Sequence, residues 1–180
     1  PAGEGYAIVK EITGNKGVQD TETLNSTMVA DGLVSTQWAA NGVDSFFDIE
    51  LGEEVILENV EIVFAPNGNR TPYFEILISN DGETYTSIYD GKGDPNCDGK
   101  AFEIFTFDVN KEFKTKYIRY IGKGSDKSAW NGVREMRFKI GEPLISWEEK
   151  DEYAKVENVS SDGGTVDDSF KWGNVVDNNS

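Results

Sequence analysis

Apolar and polar residues alternate along much of this chain with a period of two, the spacing of strands that bury one face against a facing sheet. In Asn59-Val60-Glu61-Ile62-Val63-Phe64, the residues Val60, Ile62 and Phe64 point one way. In Phe102-Glu103-Ile104-Phe105-Thr106-Phe107, one face is Phe102, Ile104 and Thr106, and Phe105 and Phe107 take the other. The pattern predicts strands over Tyr6–Ile12, Phe46–Leu51, Ile56–Phe64, Tyr73–Ser79, Thr84–Tyr89, Phe102–Val109, Lys116–Gly122 and Val133–Ile140. Turn dipeptides separate them: Asn67-Gly68, Asp81-Gly82, Asp90-Gly91 and Asn131-Gly132. No segment sustains a helical period. About eight strands in some 135 residues predict an all-β fold, an antiparallel sandwich of jelly-roll type. Loops of such a fold gather at its two ends, where binding sites usually sit.

The pattern changes after Ile140. Gly141-Glu142-Pro143 breaks the last strand, and Trp147-Glu148-Glu149-Lys150-Asp151-Glu152 is a charged run. A domain of residues 1–142 is therefore expected, followed by 143–180. In that second part Val156-Glu157-Asn158-Val159, then Val175-Val176-Asp177-Asn178, echoes Val9-Lys10-Glu11-Ile12, then Val29-Ala30-Asp31-Gly32. Two readings stay open: the start of a truncated second copy of the same module, or a polar linker.

Composition narrows the function. The chain has 33 acidic residues against 17 basic ones, a net charge of -16. Such a field repels nucleic acid and anionic membrane surfaces. Surplus carboxylates suit hard cations such as calcium. The absence of histidine removes the commonest general base and the commonest zinc ligand. The single cysteine, Cys97, has neither a disulfide partner nor a histidine, and reads as a loop thiol. No run approaches the ~20 apolar residues of a membrane span. Sequons at Asn25, Asn69, Asn158 and Asn178 matter only in a glycosylating host.

The most specific stretch is Met28-Val29-Ala30-Asp31-Gly32-Leu33-Val34-Ser35-Thr36-Gln37-Trp38. It resembles the Asp-Gly-x-x-Ser/Thr-Thr-x-Trp signature of discoidin domains, also called coagulation-factor type C domains. Their bacterial branch includes the family 32 carbohydrate-binding modules. Further blocks follow in the family's order: Phe47-Asp48-Ile49-Glu50-Leu51-Gly52, Tyr73 to Tyr85, Lys116-Tyr117-Ile118-Arg119-Tyr120-Ile121-Gly122 and Trp130-Asn131-Gly132-Val133-Arg134-Glu135-Met136. The segments from Phe64 to Glu75 and from Gly122 to Asn131 look like modules attached to polysaccharide lyases.

The resemblance implies a structural calcium ion. Carried over, Asp31 and Glu135 supply carboxylates, Thr36 its hydroxyl and carbonyl, and Met28 and Leu33 carbonyls, a mixed oxygen shell suited to that ion. Gly32 permits the sharp turn such a wrap requires. A plain turn at Asp31-Gly32 and a solvated Glu135 form the competing reading.

Sugar recognition uses planar donors and acceptors for hydroxyls and aromatic faces for C–H patches, with cations added for carboxylate or sulfate. Asn69, Arg70 and Tyr73 lie on or beside one predicted loop, and Lys123, Trp130 and Asn131 on or beside another. Converging at one end of a sandwich, they would make a local positive pocket on an acidic protein. Trp38 is expected in the core, whereas Trp130 is open to either role.

These readings point to a non-catalytic module of a secreted or cell-surface protein, covalently attached to a polysaccharide-degrading enzyme. Its expected partner is an anionic polysaccharide, an alginate-like uronate or a sulfated glycan. Neutral galactose- or glucosamine-type glycans and a cell-surface adhesion role are the alternatives. An enzyme with paired carboxylates ranks last, because no pair stands out.

Overall fold

A computed structural model describes residues 4–15, 24–66, 68–108 and 111–143. Among these residues eight antiparallel strands run β1 Val9–Asn15, β2 Trp38–Asn41, β3 Ser45–Phe64, β4 Pro72–Ser79, β5 Thr86–Lys92, β6 Glu103–Thr106, β7 Lys114–Ser125 and β8 Trp130–Ile140. A single 3-10 turn, Ser26–Ala30, follows β1 in the described chain, and the Asn25 side chain caps it through the Thr27 amide. Among the described residues no helix is long and apolar enough to cross a membrane.

The 20-residue β3 organises the sandwich. Its first part pairs with β1 on one side and β7 on the other, and β7 continues to β4 and β5. Its last part pairs with β8 and β6, and β8 continues to β2. The register shifts between Glu50 and Val55, pairing with β7 resumes at Val55 and Ile56, and from Leu57 onward the strand pairs with β8 in the other sheet. The strands expected over Phe46–Leu51 and Ile56–Phe64 are thus one continuous element.

The two sheets close on an aromatic core. Phe47, Tyr120 and Phe74 stack in sequence, with centroids 5.1 and 5.5 Å apart. Trp38 meets Phe47 edge-on at 4.9 Å, and Phe105 meets Phe74 edge-on at 4.9 Å. Trp38 is fully buried, as its sequence context predicts. Burial pushes the Tyr120 phenol well above its ordinary range. On β6 the alternation holds: Phe105 is buried and Ile104 is 61% exposed.

Other elements depart from expectation as well, and the dipeptides Asp90-Gly91 and Asn131-Gly132, expected as turns, lie inside β5 and β8. The first strand starts at Val9, and Tyr6 makes only an isolated bridge to Lys139. The β2 strand was not expected at all. β6 is shorter than Phe102–Val109, and Val109 lies outside the described residues. The echoing segments Val156–Val159 and Val175–Asn178 also lie outside them.

Candidate functional site

One end of the sandwich is shaped by the described parts of two connections, 65–66 and 68–71 between β3 and β4, and 126–129 between β7 and β8. Together with the start of β2 they enclose a cleft of about 160 Å³, bordered by Gln37, Ala65, Pro66, Arg70, Pro72, Gly124, Ser125, Trp130, Gly132 and the core residue Tyr120. Trp130 is 41% exposed at its edge.

Arg70 is held there by its neighbours' backbone. Asn69 adopts a left-handed conformation, φ 62°, and its carbonyl accepts from Lys127 Nζ at 2.7 Å. The Thr71 amide donates to Asp126 Oδ1 at 2.8 Å. The Arg70 guanidinium donates through Nη1 to Ser128 Oγ at 3.3 Å. Among the described residues no carboxylate lies within ion-pair distance of Arg70. Beyond the bond to Ser128, its planar fork has further N–H donors to offer a ligand.

The other expected contacts divide. Asn131 is buried, and its side chain is spent on backbone: Oδ1 accepts from Gly124 N at 2.7 Å, and Nδ2 donates to Gly42 O at 2.9 Å. It shapes the cleft wall by tying the end of β7 to the β2–β3 and β7–β8 loops. Lys123 lies on the outer sheet face, where the strand alternation turns it away from the cleft. It bonds Asp90 at 2.9 Å and Glu75 at 3.0 Å, and the Asp90 bond leads in raising its pKa. Tyr73 accompanies it there, 38% exposed. The expectation of one pocket with both Arg70 and Lys123 is therefore corrected. Arg70 and Trp130 share a cleft, while Tyr73 and Lys123 share a separate outer surface. Sequence reasoning missed Gln37, Asp126, Lys127 and Ser128, whose roles depend on two loops meeting across some 55 residues of chain.

At the turn after the 3-10 segment, a second cluster of oxygen donors converges. Asp31 Oδ2 accepts from Thr36 Oγ1 at 2.7 Å, and the Leu33 carbonyl lies 2.8 Å from the same hydroxyl. Gly32, with φ 82°, makes the turn and donates its amide to Glu135 Oε2 at 3.2 Å. Glu135 is buried, with its pKa pushed up to about 7, first by burial and further by the Asp31 charge. Met28 sits in the 3-10 segment beside this turn, its amide bonded to the Asn25 carbonyl. Two carboxylates, a hydroxyl and carbonyls form a donor set of the kind calcium takes. Among the described residues no group of three or more Asp, Glu or Cys side chains gathers around one point. Any ion at Asp31 and Glu135 would therefore lean on hydroxyl and carbonyl donors as well.

The F5/8 type C domain model matches residues 12–136. The chain belongs to the F5/8 type C family. The match spans β1 through most of β8 and thus both clusters just described. Solved structures share this type C fold, which is that of the family 32 carbohydrate-binding modules. A pectin-binding carbohydrate-binding module is 29% identical, with a TM-score of 0.65, and the match covers 77% of this chain and 96% of that one. The family 32 module of AlyQ, in complex with 4,5-unsaturated mannuronic acid, is 24% identical over 74% of this chain and 96% of its own, with a TM-score of 0.61. The family 32 module of C. perfringens NanJ, in complex with galactose, is 16% identical over 71% of this chain and 92% of its own, with a TM-score of 0.58. No curated protein matches this type C chain.

Proposed function

We propose that this type C domain is a non-catalytic carbohydrate-binding module for an anionic polysaccharide, an alginate-like uronate or a sulfated glycan. It serves a secreted polysaccharide-degrading enzyme to which it is covalently attached. The observation that carries the reading is Arg70. It lines a cleft beside an exposed tryptophan and, among the described residues, has no carboxylate partner, on a chain of net charge -16. A planar guanidinium donates two parallel hydrogen bonds to a carboxylate or sulfate. The Trp130 ring offers an aromatic face for the C–H patch of a pyranose. Similar modules are solved with mannuronic acid or named for pectin binding, which supports a uronate.

The reading includes a structural calcium ion held by Asp31, Thr36, Glu135 and the carbonyls of Met28 and Leu33. Such an ion would neutralise the buried Glu135 carboxylate and fasten the turn at Gly32 to β8. Holding the enzyme on a polymer raises its effective concentration without further chemistry in the module.

Affinity electrophoresis of the chain through gels containing alginate, pectate, sulfated glycans or neutral galactans tests this, with calcium present. Retardation by a uronate or sulfated polymer is expected, and Arg70→Ala abolishes it while the fold is retained. Retardation by neutral glycans alone rejects the anionic ligand, and no retardation by any glycan favours the adhesion role.

A further inference from the structure

The segment Asp126-Lys127-Ser128 meets Asn69-Arg70-Thr71 residue for residue. Asp126 Oδ1 accepts the Thr71 amide at 2.8 Å, and the Asp126 amide returns to the Thr71 carbonyl at 3.3 Å. Lys127 Nζ takes the Asn69 carbonyl at 2.7 Å, and Ser128 Oγ takes the Arg70 guanidinium at 3.3 Å. Ser128 is itself fixed. Its amide donates to Ser125 Oγ at 3.0 Å, and its carbonyl accepts from Ser125 N at 2.7 Å. The same Ser128 Oγ accepts the Trp130 amide at 3.4 Å, so one hydroxyl touches both walls of the cleft. Gly124, with φ 77°, allows this turn, and a Cβ there would come within 2.8 Å of the Ser128 carbonyl.

Asp126 is an exposed acid beside a cleft read as a site for an anion. By charge alone it opposes such a ligand, and its removal would tighten binding. Its hydrogen bonds act the other way, because they hold the backbone on the C-terminal side of Arg70. A cation on a long side chain binds well only when the ordering has been done before the ligand arrives.

We propose that Asp126 is a positioning residue for Arg70, and that its carboxylate favours anion binding in the adjoining cleft by clamping the Arg70 loop. The inference rests on the uronate reading above. The acceptor oxygen carries the effect, and the charge does not. Lys127, on the Asn69 carbonyl, and Ser128, on the guanidinium itself, complete the clamp.

Calorimetry of the full chain with a mannuronate trisaccharide compares Asp126→Ala, Asp126→Asn, Arg70→Ala and the parent. Asp126→Asn keeps the side-chain acceptor and removes the charge, so it binds at least as tightly as the parent. Asp126→Ala loses the clamp and binds about five- to tenfold more weakly. An Asp126→Ala affinity equal to or above the parent's overturns the proposal, and so does an Asp126→Asn variant as weak as Asp126→Ala. The ligand-free proteins give a second readout, the 15N relaxation of the Arg70 side-chain Nε. That signal is rigid in the parent and in Asp126→Asn and mobile on the nanosecond scale in Asp126→Ala. If even the parent fails to bind the trisaccharide, the uronate reading falls, and the relaxation contrast alone decides the clamp: its presence upholds the clamp and its absence overturns it. Ser128→Ala, with Ser128→Thr as the conservative control, repeats the relaxation test from the other end of the segment.

Discussion

Replacing Asn131 by alanine separates a scaffold role from a ligand contact at the cleft. Its Oδ1 is the acceptor for the buried Gly124 amide at 2.7 Å. Leaving that amide unpaired costs about 1–3 kcal/mol. The carbonyls that Nδ2 serves are better provided for. Gly42 O also accepts Ser45 Oγ at 2.9 Å, and Ala129 O accepts Gly42 N at 2.9 Å. Their loss adds roughly 0.5–1 kcal/mol between them. Asn131→Ala is thus expected to destabilise the domain by about 1.5–4 kcal/mol. Urea unfolding followed by tryptophan fluorescence measures it, as a lower midpoint at an unchanged slope. Binding of uronate, taken where both proteins are folded, should fall less than for Arg70→Ala. A stability change below about 1 kcal/mol with binding abolished would refute the reasoning and return Asn131 to the ligand.

Trp38→Ala should cost about 3–5 kcal/mol by thermal or urea unfolding, since the indole is fully buried against Phe47 and Tyr120. Trp38→Phe should cost less than half as much, because the indole N–H has no partner to lose. In the metal-free protein Glu135, with its pKa raised from 4.5 to about 7, holds in the folded state a proton that the unfolded chain releases. Its contribution is complete below pH 4.5 and fades as pH rises through 7, so Tm in chelator should fall between pH 5 and 8. Glu135→Gln should flatten that slope, and added calcium should raise Tm most at the alkaline end. Asp81 behaves oppositely, its carboxyl lowered to about 2, chiefly by the backbone amides of Thr84 and Glu83. Its stabilisation is present above pH 3.8 and lost as pH falls through 2, so Asp81→Asn should remove that part of the acid unfolding curve.

The alternation and turn residues made most strands legible, because burial of one face constrains the sequence directly. Trp38-Ala39-Ala40-Asn41 escaped because two alanines carry no strand signature, and the segment is fixed by pairing with β8. The join inside β3 escaped because Gly52-Glu53-Glu54 interrupts the apolar alternation, whereas the strand runs on through it and passes to the other sheet at Leu57. At the cleft, the residue types singled out Arg70 and Trp130, which the structure brings together. Lys123 was misplaced, because its partners Glu75 and Asp90 are remote in sequence and only strand pairing brings them to it. Asn131 was legible as a polar residue at a loop, but the backbone it serves is set by loops folded over it.

Because β3 is the seam of both sheets, neither sheet can be completed without it. Its partners β7 and β8 arrive only after most of the domain has been synthesised, so the contacts that close the sandwich span long stretches of chain. Chains dominated by such distant pairings fold slowly and as a unit. A slip of one residue in β3 would turn its apolar face outward in both sheets at once. Misfolding at this strand should therefore yield wholly misassembled chains, with no stable half-sandwich along the way.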